Sequence, residues 1–275
     1  MLSARDLLLA LLALALPPTL TLRAQTTTVS SLADYAGPRY PGGPDSLRAL
    51  VYRSTRQAGA APTGHALVQF ELKADGQPTN YTLITPSGCA TDPLAEAAAN
   101  ALRYLETYMP AWQPDTSTLE ATPGDKFSRI NLVLDFAAPF ATQPYAYAEQ
   151  QPVFGTLAQL VPSRHGRYMD EILTDPIKRA QFQSSARGLV TFCQMQVRYP
   201  PEAFRAHQQG TMYASFEVSE SGAIERPEIL GSIGRSLDGE VLRVLATLPA
   251  ATAPAQLHGQ PVRMRYVLPL TFKIQ

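Results

Sequence analysis

Two stretches of the chain share one pattern of glycines, and this internal repeat constrains the fold more than any other feature of the sequence. In "GHALVQFELKADGQPTNYTLITPSG" (64–88) and "GTMYASFEVSESGAIERPEILGSIG" (210–234), an alternating apolar run leads into ADG or ESG, and a second extended run follows. Such alternation around a glycine-containing turn predicts a β-hairpin with one buried face. The matched glycines are Gly64, Gly76 and Gly88 in the first stretch and Gly210, Gly222 and Gly234 in the second.

An amphipathic helix follows each predicted hairpin. In the first copy Asp92 is the expected N-cap, Pro93 takes the first helical position and Pro110 ends the helix. In the second copy Ser236 is the expected N-cap and Pro249 ends the helix. The apolar stripes are Leu94, Ala98, Ala101, Leu102, Leu105 and Met109 in the first helix, and Leu237, Val241, Val244, Leu245 and Leu248 in the second.

Each copy also has a third strand after this helix and another helix before the hairpin. The third strands are predicted over 127–136 and 262–272, and the preceding helices over 44–56 and 186–200. A three-stranded sheet with one apolar face needs a cover, which two helices can supply. The sequence therefore predicts an α+β fold of tandem domains, each a three-stranded antiparallel sheet covered by two helices.

These elements divide the chain into segments. The first domain is predicted over residues 36–140 and the second over residues 186–275. Residues 141–185 between them are interpreted as a linker without periodicity, followed by an insertion of one or two helices. Thr174–Pro176 in this insertion indicates a helix start, with an aspartate before a proline.

Residues 1–24 are interpreted as a secretory signal peptide. Arg5 precedes the apolar run Leu7–Leu16, which as a helix would span about 15 Å, half of a hydrocarbon layer of about 30 Å. Cleavage after Ala24 would leave a mature chain that begins at Gln25 in an exported compartment. An uncleaved inner-membrane anchor is the alternative.

Composition argues against a nucleic-acid binder, and the reactive residues form no catalytic constellation. The chain has 23 Lys and Arg against 23 Asp and Glu, so it lacks the positive charge of such proteins. None of the 4 histidines stands at metal-ligand spacing from another histidine or a cysteine. Cys89 is interpreted as a loop thiol, and a disulfide with Cys193 stays open. We therefore predict a protein without enzymatic activity, cofactor or metal ion.

The second copy carries a set of short motifs: Tyr199-Pro200, Glu202-Ala203, Gly210, Gly222, Leu237-Asp238, Gly259-Gln260-Pro261-Val262 and "LPLTF" (268–272). With these motifs it resembles the C-terminal domain of the TonB energy-transducer family along nearly its whole length. The first copy looks like a diverged second copy of that domain, with the lead-in "RYPGGPDSLRALV" (39–51) and the landmark "MPAWQP" (109–114), but without the Tyr-Pro pair before its first strand.

This resemblance implies a periplasmic domain that docks an extended peptide of an outer-membrane transporter beside its last strand, in TonB-dependent transport. Peptidoglycan and inner-membrane motor proteins are further candidate partners. The family's transducers keep a transmembrane helix and a long proline-rich spacer, neither of which is seen in this sequence. A cell-envelope adaptor or peptidoglycan-associated scaffold without energy coupling is therefore the alternative function.

The last predicted strand has a proline in an otherwise regular alternation. Pro269 cannot donate a hydrogen bond, which favours an edge strand over a central one. An edge strand offers unpaired main-chain groups to an incoming peptide. Arg263, Arg265 and Lys273 are expected on its outer face, where they would favour an acidic peptide, or else form an ordinary solvated face. The predicted partner-binding residues are Val262, Arg263, Met264, Arg265, Tyr266, Val267 and Leu268.

Overall fold

The computed structural model describes residues 34–57, 62–85, 92–114, 128–162 and 166–274. The predicted signal peptide and Cys89 lie outside these residues. The helices are α1 (Gly43–Thr55), α2 (Pro93–Tyr108), α3 (Arg167–Thr174), α4 (Pro176–Ser184), α5 (Ala186–Gln196), α6 (Pro201–Arg205) and α7 (Arg235–Leu245). The strands are β1 (His65–Leu72), β2 (Pro78–Ile84), β3 (Ser128–Asp135), β4 (Gly210–Val218), β5 (Ile224–Gly231), β6 (Gln256–Leu257), β7 (Gln260–Pro261) and β8 (Met264–Phe272).

The long strands form two antiparallel three-stranded sheets with the same arrangement. Their strand orders are β2-β1-β3 and β5-β4-β8, so each hairpin is followed by a third strand on its other side. Helices α1 and α2 pack on the first sheet, while α5 and α7 pack on the second. The predicted α+β fold is confirmed, and β6 and β7 add a small separate ribbon.

The helices cover the sheet faces that the alternating pattern marks as apolar. In the first sheet Val68 and Phe70 are buried beneath Leu105 of α2. In the second sheet Phe216 is buried with Val241 of α7 in the same way. Each domain therefore has its own core between one sheet and its helices.

One backbone contact is the same in the two hairpins. In the first domain Gly76 has a φ of 82°, and the Trp112 N–H donates to its C=O over 2.9 Å. In the second domain Gly222 has a φ of 85°, and the Ala251 N–H donates to its C=O over 2.8 Å. Each hairpin thus closes on the segment that follows the domain's helix, which explains why glycine occupies both turns.

Most of the predicted helix starts are found where the sequence places them, with one exception. The Asp92 side chain accepts from the Leu94 N–H, and the Asp175 side chain caps α4. The prediction that Ser236 caps α7 is wrong, because α7 already begins at Arg235 without a side-chain cap. The turn before it is closed instead by Ser232, whose hydroxyl accepts a backbone N–H.

The two sheets pack on each other through the faces that the helices leave open. The Tyr213 hydroxyl lies 3.4 Å from the Gln69 side chain, and any side chain at Gly231 would collide with Ile84 at 2.8 Å. Strand β1 of the first sheet contacts β5 of the second. The described chain is therefore a four-layer sandwich of helices, sheet, sheet and helices, and the supposedly solvated sheet face is an interface.

The segment between the domains is packed against both of them. Tyr147 and Phe154 are buried, and the Tyr147 hydroxyl accepts from the Tyr40 N–H of the first domain over 3.0 Å. On the other side, the Gln150 N–H donates to the Gln256 C=O of the second domain over 3.1 Å. Among the described residues, no helix has the length and hydropathy of a membrane span.

Candidate functional site

Strand β8 lies at the edge of the second sheet, as the proline in its sequence predicts. Its inner side pairs with β4 over nine residues, Gly210–Val218. Its outer side meets only a short piece of the linker, where the Tyr145 N–H donates to the Arg263 C=O and the Arg265 N–H donates to the Tyr145 C=O, both over 2.9 Å. These two bonds show that odd-numbered residues turn their main-chain groups away from β4.

The same alternation fixes the orientation of the rest of β8. Val267, Pro269 and Thr271 all turn their main-chain groups outward, and Pro269 stands opposite Tyr213 in a pair without ladder hydrogen bonds. The missing N–H of Pro269 therefore costs the sheet nothing. Among the described residues, no partner bonds to the outward main-chain groups of Val267 or Thr271. The open part of the edge runs from Val267 to Lys273.

The seven predicted partner-binding residues have different positions relative to this edge. Met264, Tyr266 and Leu268 face the second core, where they are buried. Val262 precedes β8, and its N–H donates to the Ala255 C=O over 2.9 Å. The outward main-chain groups of Arg263 and Arg265 are the ones that hydrogen-bond to Tyr145. Of the seven, Val267 alone combines an outward orientation with main-chain groups that the described part of the chain leaves unpaired. The pairing of Tyr145 with this edge could not be predicted from the alternation in the sequence.

The expectation that Arg263 and Arg265 attract an acidic peptide is wrong, because their charges are already neutralised within the chain. Arg265 is 8% exposed and donates to the Glu217 carboxylate, with the Asp135 carboxylate of the first domain at 3.5 Å. Arg263 lies 3.0 Å from Glu217 and 2.6 Å from Glu225. Although burial opposes its charge, these arginines hold the pKa of Glu217 below its usual range. Lys273 remains exposed.

A histidine completes the charged interface between the sheets. His65 lies 3.0 Å from the Asp135 carboxylate of its own domain and 2.7 Å from the Glu228 carboxylate of the second domain. Burial disfavours a charged imidazole, but the hydrogen bonds to these two carboxylates outweigh it and raise the pKa of His65 to about 9. At neutral pH this histidine is therefore a cation that bridges the two domains.

Two adjoining cavities border the outer edge of β8. They are partly open clefts with solvent-accessible volumes of about 40 and 170 Å³, and they share Val267 in their walls. Their opposite wall is the edge strand β3 of the first domain, represented in both cavities by Asn131. A third cleft, with a solvent-accessible volume of about 330 Å³, lies at the far end of β8, between Tyr199 and Lys273. The open edge thus has space for side chains at both ends.

The described residues place no reactive thiol and no cluster of metal ligands in this region. Cys193 is buried in the second core, and burial raises the pKa of its thiol to about 12. Within the described ranges, no group of three or more His, Cys, Asp or Glu side chains has an arrangement that could hold a metal ion. The features of the site are hydrogen-bonding groups, a strand edge and cavities, which suit binding.

Residues 195–274 match the protein family described as Gram-negative bacterial TonB protein C-terminal. This part of the chain resembles a TonB C-terminal domain. The match includes the whole second sheet with its edge strand β8, whereas the first domain lies outside it. No curated protein and no solved structure matches the chain.

A TonB C-terminal domain indicates a TonB-like role in transport, in a family that is associated with the cell envelope. The family contacts outer-membrane transporters in general, and its C-terminal domain is a transport-associated domain without enzymatic activity. The surface by which residues 195–274 would make such a contact is a separate question, which the geometry of β8 addresses.

Proposed function

We propose that this protein docks an extended peptide segment of an outer-membrane transporter as an added strand on β8, in TonB-dependent transport. The observation that carries the proposal is the open stretch of edge from Val267 to Lys273, on the last strand of a TonB C-terminal domain. Main-chain groups of this kind are what an incoming strand pairs with.

The contact with Tyr145 limits where the added strand can lie. This linker residue already forms a parallel bridge with Met264, which occupies that part of the edge. An added strand would therefore pair with β8 from Val267 onward. Val267 and Thr271 can each donate and accept one hydrogen bond outward, and Pro269 can accept one. Five bonds at about 1 kcal/mol each fall short of the about 8 kcal/mol of a micromolar complex. Side chains in the cavities at the two ends of the edge would supply the remainder.

The proposed site of action is the periplasm, where such a transporter segment is accessible. The interpretation of residues 1–24 as a cleaved export signal supports this location. In the same proposal the first domain is a diverged copy of the TonB C-terminal domain. Its matched hairpin closure, in which Trp112 bonds to Gly76 as Ala251 bonds to Gly222, supports that relation.

The proposal is tested with Val267→Pro and its matched control Val267→Ala. Both variants replace the valine side chain, but only proline removes the outward N–H, at a position where the β4 ladder needs no donor. Nuclear magnetic resonance spectra of the protein are recorded with ten-residue peptides copied from periplasmic segments of outer-membrane transporters. We expect shifts at the Val267 and Thr271 amides of the native chain.

The two variants are expected to separate in affinity. Val267→Ala should bind these peptides within about threefold of the native chain, and Val267→Pro at least tenfold more weakly, since it loses a main-chain hydrogen bond and strand register. Equal binding by both variants, or peptide-induced shifts that avoid β8 altogether, would contradict strand addition. Retention of the protein on purified sacculi without any peptide binding would favour the adaptor role instead.

A further inference from the structure

Three buried hydrogen-bond donors beside the linker have no partner among the described residues. They are Nε of Arg48, Nε1 of Trp112 and the hydroxyl of Tyr266. Arg48 lines the first of the two cavities at the β8 edge, and Trp112 and Tyr266 line the second. Buried polar groups in native proteins are nearly always paired with protein, water or ligand. Tyr266 faces the second core, so Arg48 and Trp112 are the two donors that a ligand rich in acceptors could reach from the cavities.

Arg48 supplies a positive charge that no carboxylate of the described chain neutralises. Its guanidinium lies between the rings of Phe140 and Tyr145, with 4.6 Å to each centroid, and it donates to the Phe140 C=O. Within the described ranges, no Asp or Glu lies at ion-pair distance from it. A guanidinium held in plane by two rings is oriented for bonds to a carboxylate.

The opposite wall of the first cavity is a second edge strand with outward main-chain groups. The Phe136 N–H donates to the Gly64 C=O, so the even-numbered residues of β3 face β1 and the odd-numbered residues face outward. Asn131 and Val133 are odd-numbered and line this cavity together with Val267 of β8. The Asn131 side-chain oxygen accepts from Gln69, and its NH₂ group makes no hydrogen bond within the described chain.

We infer that the two adjoining cavities form one composite site for an acidic side chain of the docked peptide, with Arg48 of the first domain as its anchor. The inference rests on the proposed function, because the peptide strand itself would lie on β8. It assigns the first domain the role of a second wall, which contributes Arg48, Trp112 and Asn131 rather than a docking strand of its own.

The chemistry of the walls selects a single carboxylate. Arg48 is the one cation of the first cavity without an ion pair in the described chain, because Arg265 is already neutralised by Glu217. The Asp135 carboxylate in the same wall would repel a doubly charged group such as a phosphate more strongly than a singly charged carboxylate. The position of the cavity along two strand edges favours a carboxylate carried by an extended peptide over a free acid.

Two capped ten-residue peptides of alternating threonine and valine test the inference on the full chain. One peptide has a central glutamate, and the other has glutamine in its place. The native chain should bind the glutamate peptide about tenfold more tightly, as a charge-assisted hydrogen bond allows. Arg48→Gln should remove this preference, while Arg53→Gln should keep it. Arg53 is a matched control because it is exposed on the same helix and lines neither cavity.

Trp112 provides a second readout that a general effect on stability would not move. It is the single tryptophan of the sequence, so its indole N–H gives one assignable resonance. Binding of the glutamate peptide should move that resonance downfield, because Nε1 would gain an acceptor from the peptide. In Arg48→Gln the shift should decrease together with the preference for glutamate.

The outcomes separate this inference from the proposed function. A glutamate preference that persists in Arg48→Gln, or equal binding of both peptides by the native chain, overturns the composite site while strand addition stands. Loss of the preference in Arg53→Gln as well as in Arg48→Gln also overturns it, because helix charge alone would then explain the effect. Failure of transporter peptides to shift the Val267 and Thr271 amides overturns the proposed function, whatever Arg48 does.

Discussion

The charged bridge at His65 makes the stability of the protein depend on pH in a predictable direction. The pKa of His65 is raised to about 9 by Asp135 and Glu228, against about 6.5 in an unfolded chain. A tenfold change in a protonation constant is worth about 1.4 kcal/mol, so the charged form stabilises the folded state by up to about 3 kcal/mol. Because the folded pKa is the higher one, this contribution is complete below pH 6.5 and is lost as the pH rises through 9.

The measurement compares His65→Gln with the native chain by urea unfolding at several pH values between 6 and 10. At pH 6 the variant should be less stable by about 3 kcal/mol, and the difference should fall to about 1 kcal/mol or less at pH 10. His258→Gln is the control, because that side chain is 72% exposed and surface ion pairs contribute little. A difference between His65→Gln and the native chain that stays constant from pH 6 to pH 10 would refute the reasoning.

Three further predictions concern other parts of the molecule. Gly222→Ala should destabilise the fold by more than 2 kcal/mol in urea unfolding, because its Cβ would lie 2.5 Å from the Ala251 carbonyl oxygen. Gly259→Ala is the control: its φ is also positive, at 73°, but the space around it is open, so it should destabilise the fold by only about 1 kcal/mol. Arg265→Met should lower the free energy of unfolding by about 3 kcal/mol, and with it the melting temperature, since it leaves the charge of the fully buried Glu217 less well paired. The double variant with Glu217→Gln should recover part of that loss. Cys193 should resist alkylation at pH 8 in the folded chain and react only after unfolding, because its buried thiol has a pKa of about 12.

Local patterns in the sequence were sufficient for the two sheets and for the edge position of the last strand. The alternation in 64–72 and 210–218 specifies which face is apolar, and the glycine spacing predicts that the two sheets share one strand arrangement. Pro269 predicted an edge because its missing donor is tolerated only where no neighbouring strand requires it. Each of these inferences depends on residues close together in the chain, which is why each could be made.

The interface between the sheets could not be predicted in the same way. His65, Glu217 and Arg265 alternate with apolar residues, and such a pattern is typical of a face in water. Their burial depends on partners far along the chain, such as Asp135, which lies 130 residues from Arg265. The bridge from Tyr145 to β8 involves a single residue, and one residue has no periodicity to detect.

The register of β8 against β4 has a mechanical consequence for any strand that pairs with its outer edge. Nine successive residues of β4 pair with β8 along the strand axis. A force parallel to that axis would load these pairs together in shear, whereas a force perpendicular to it would break them one after another. Arg265 also couples β8 to Asp135 of the other domain, so tension along the edge would reach both sheets rather than one.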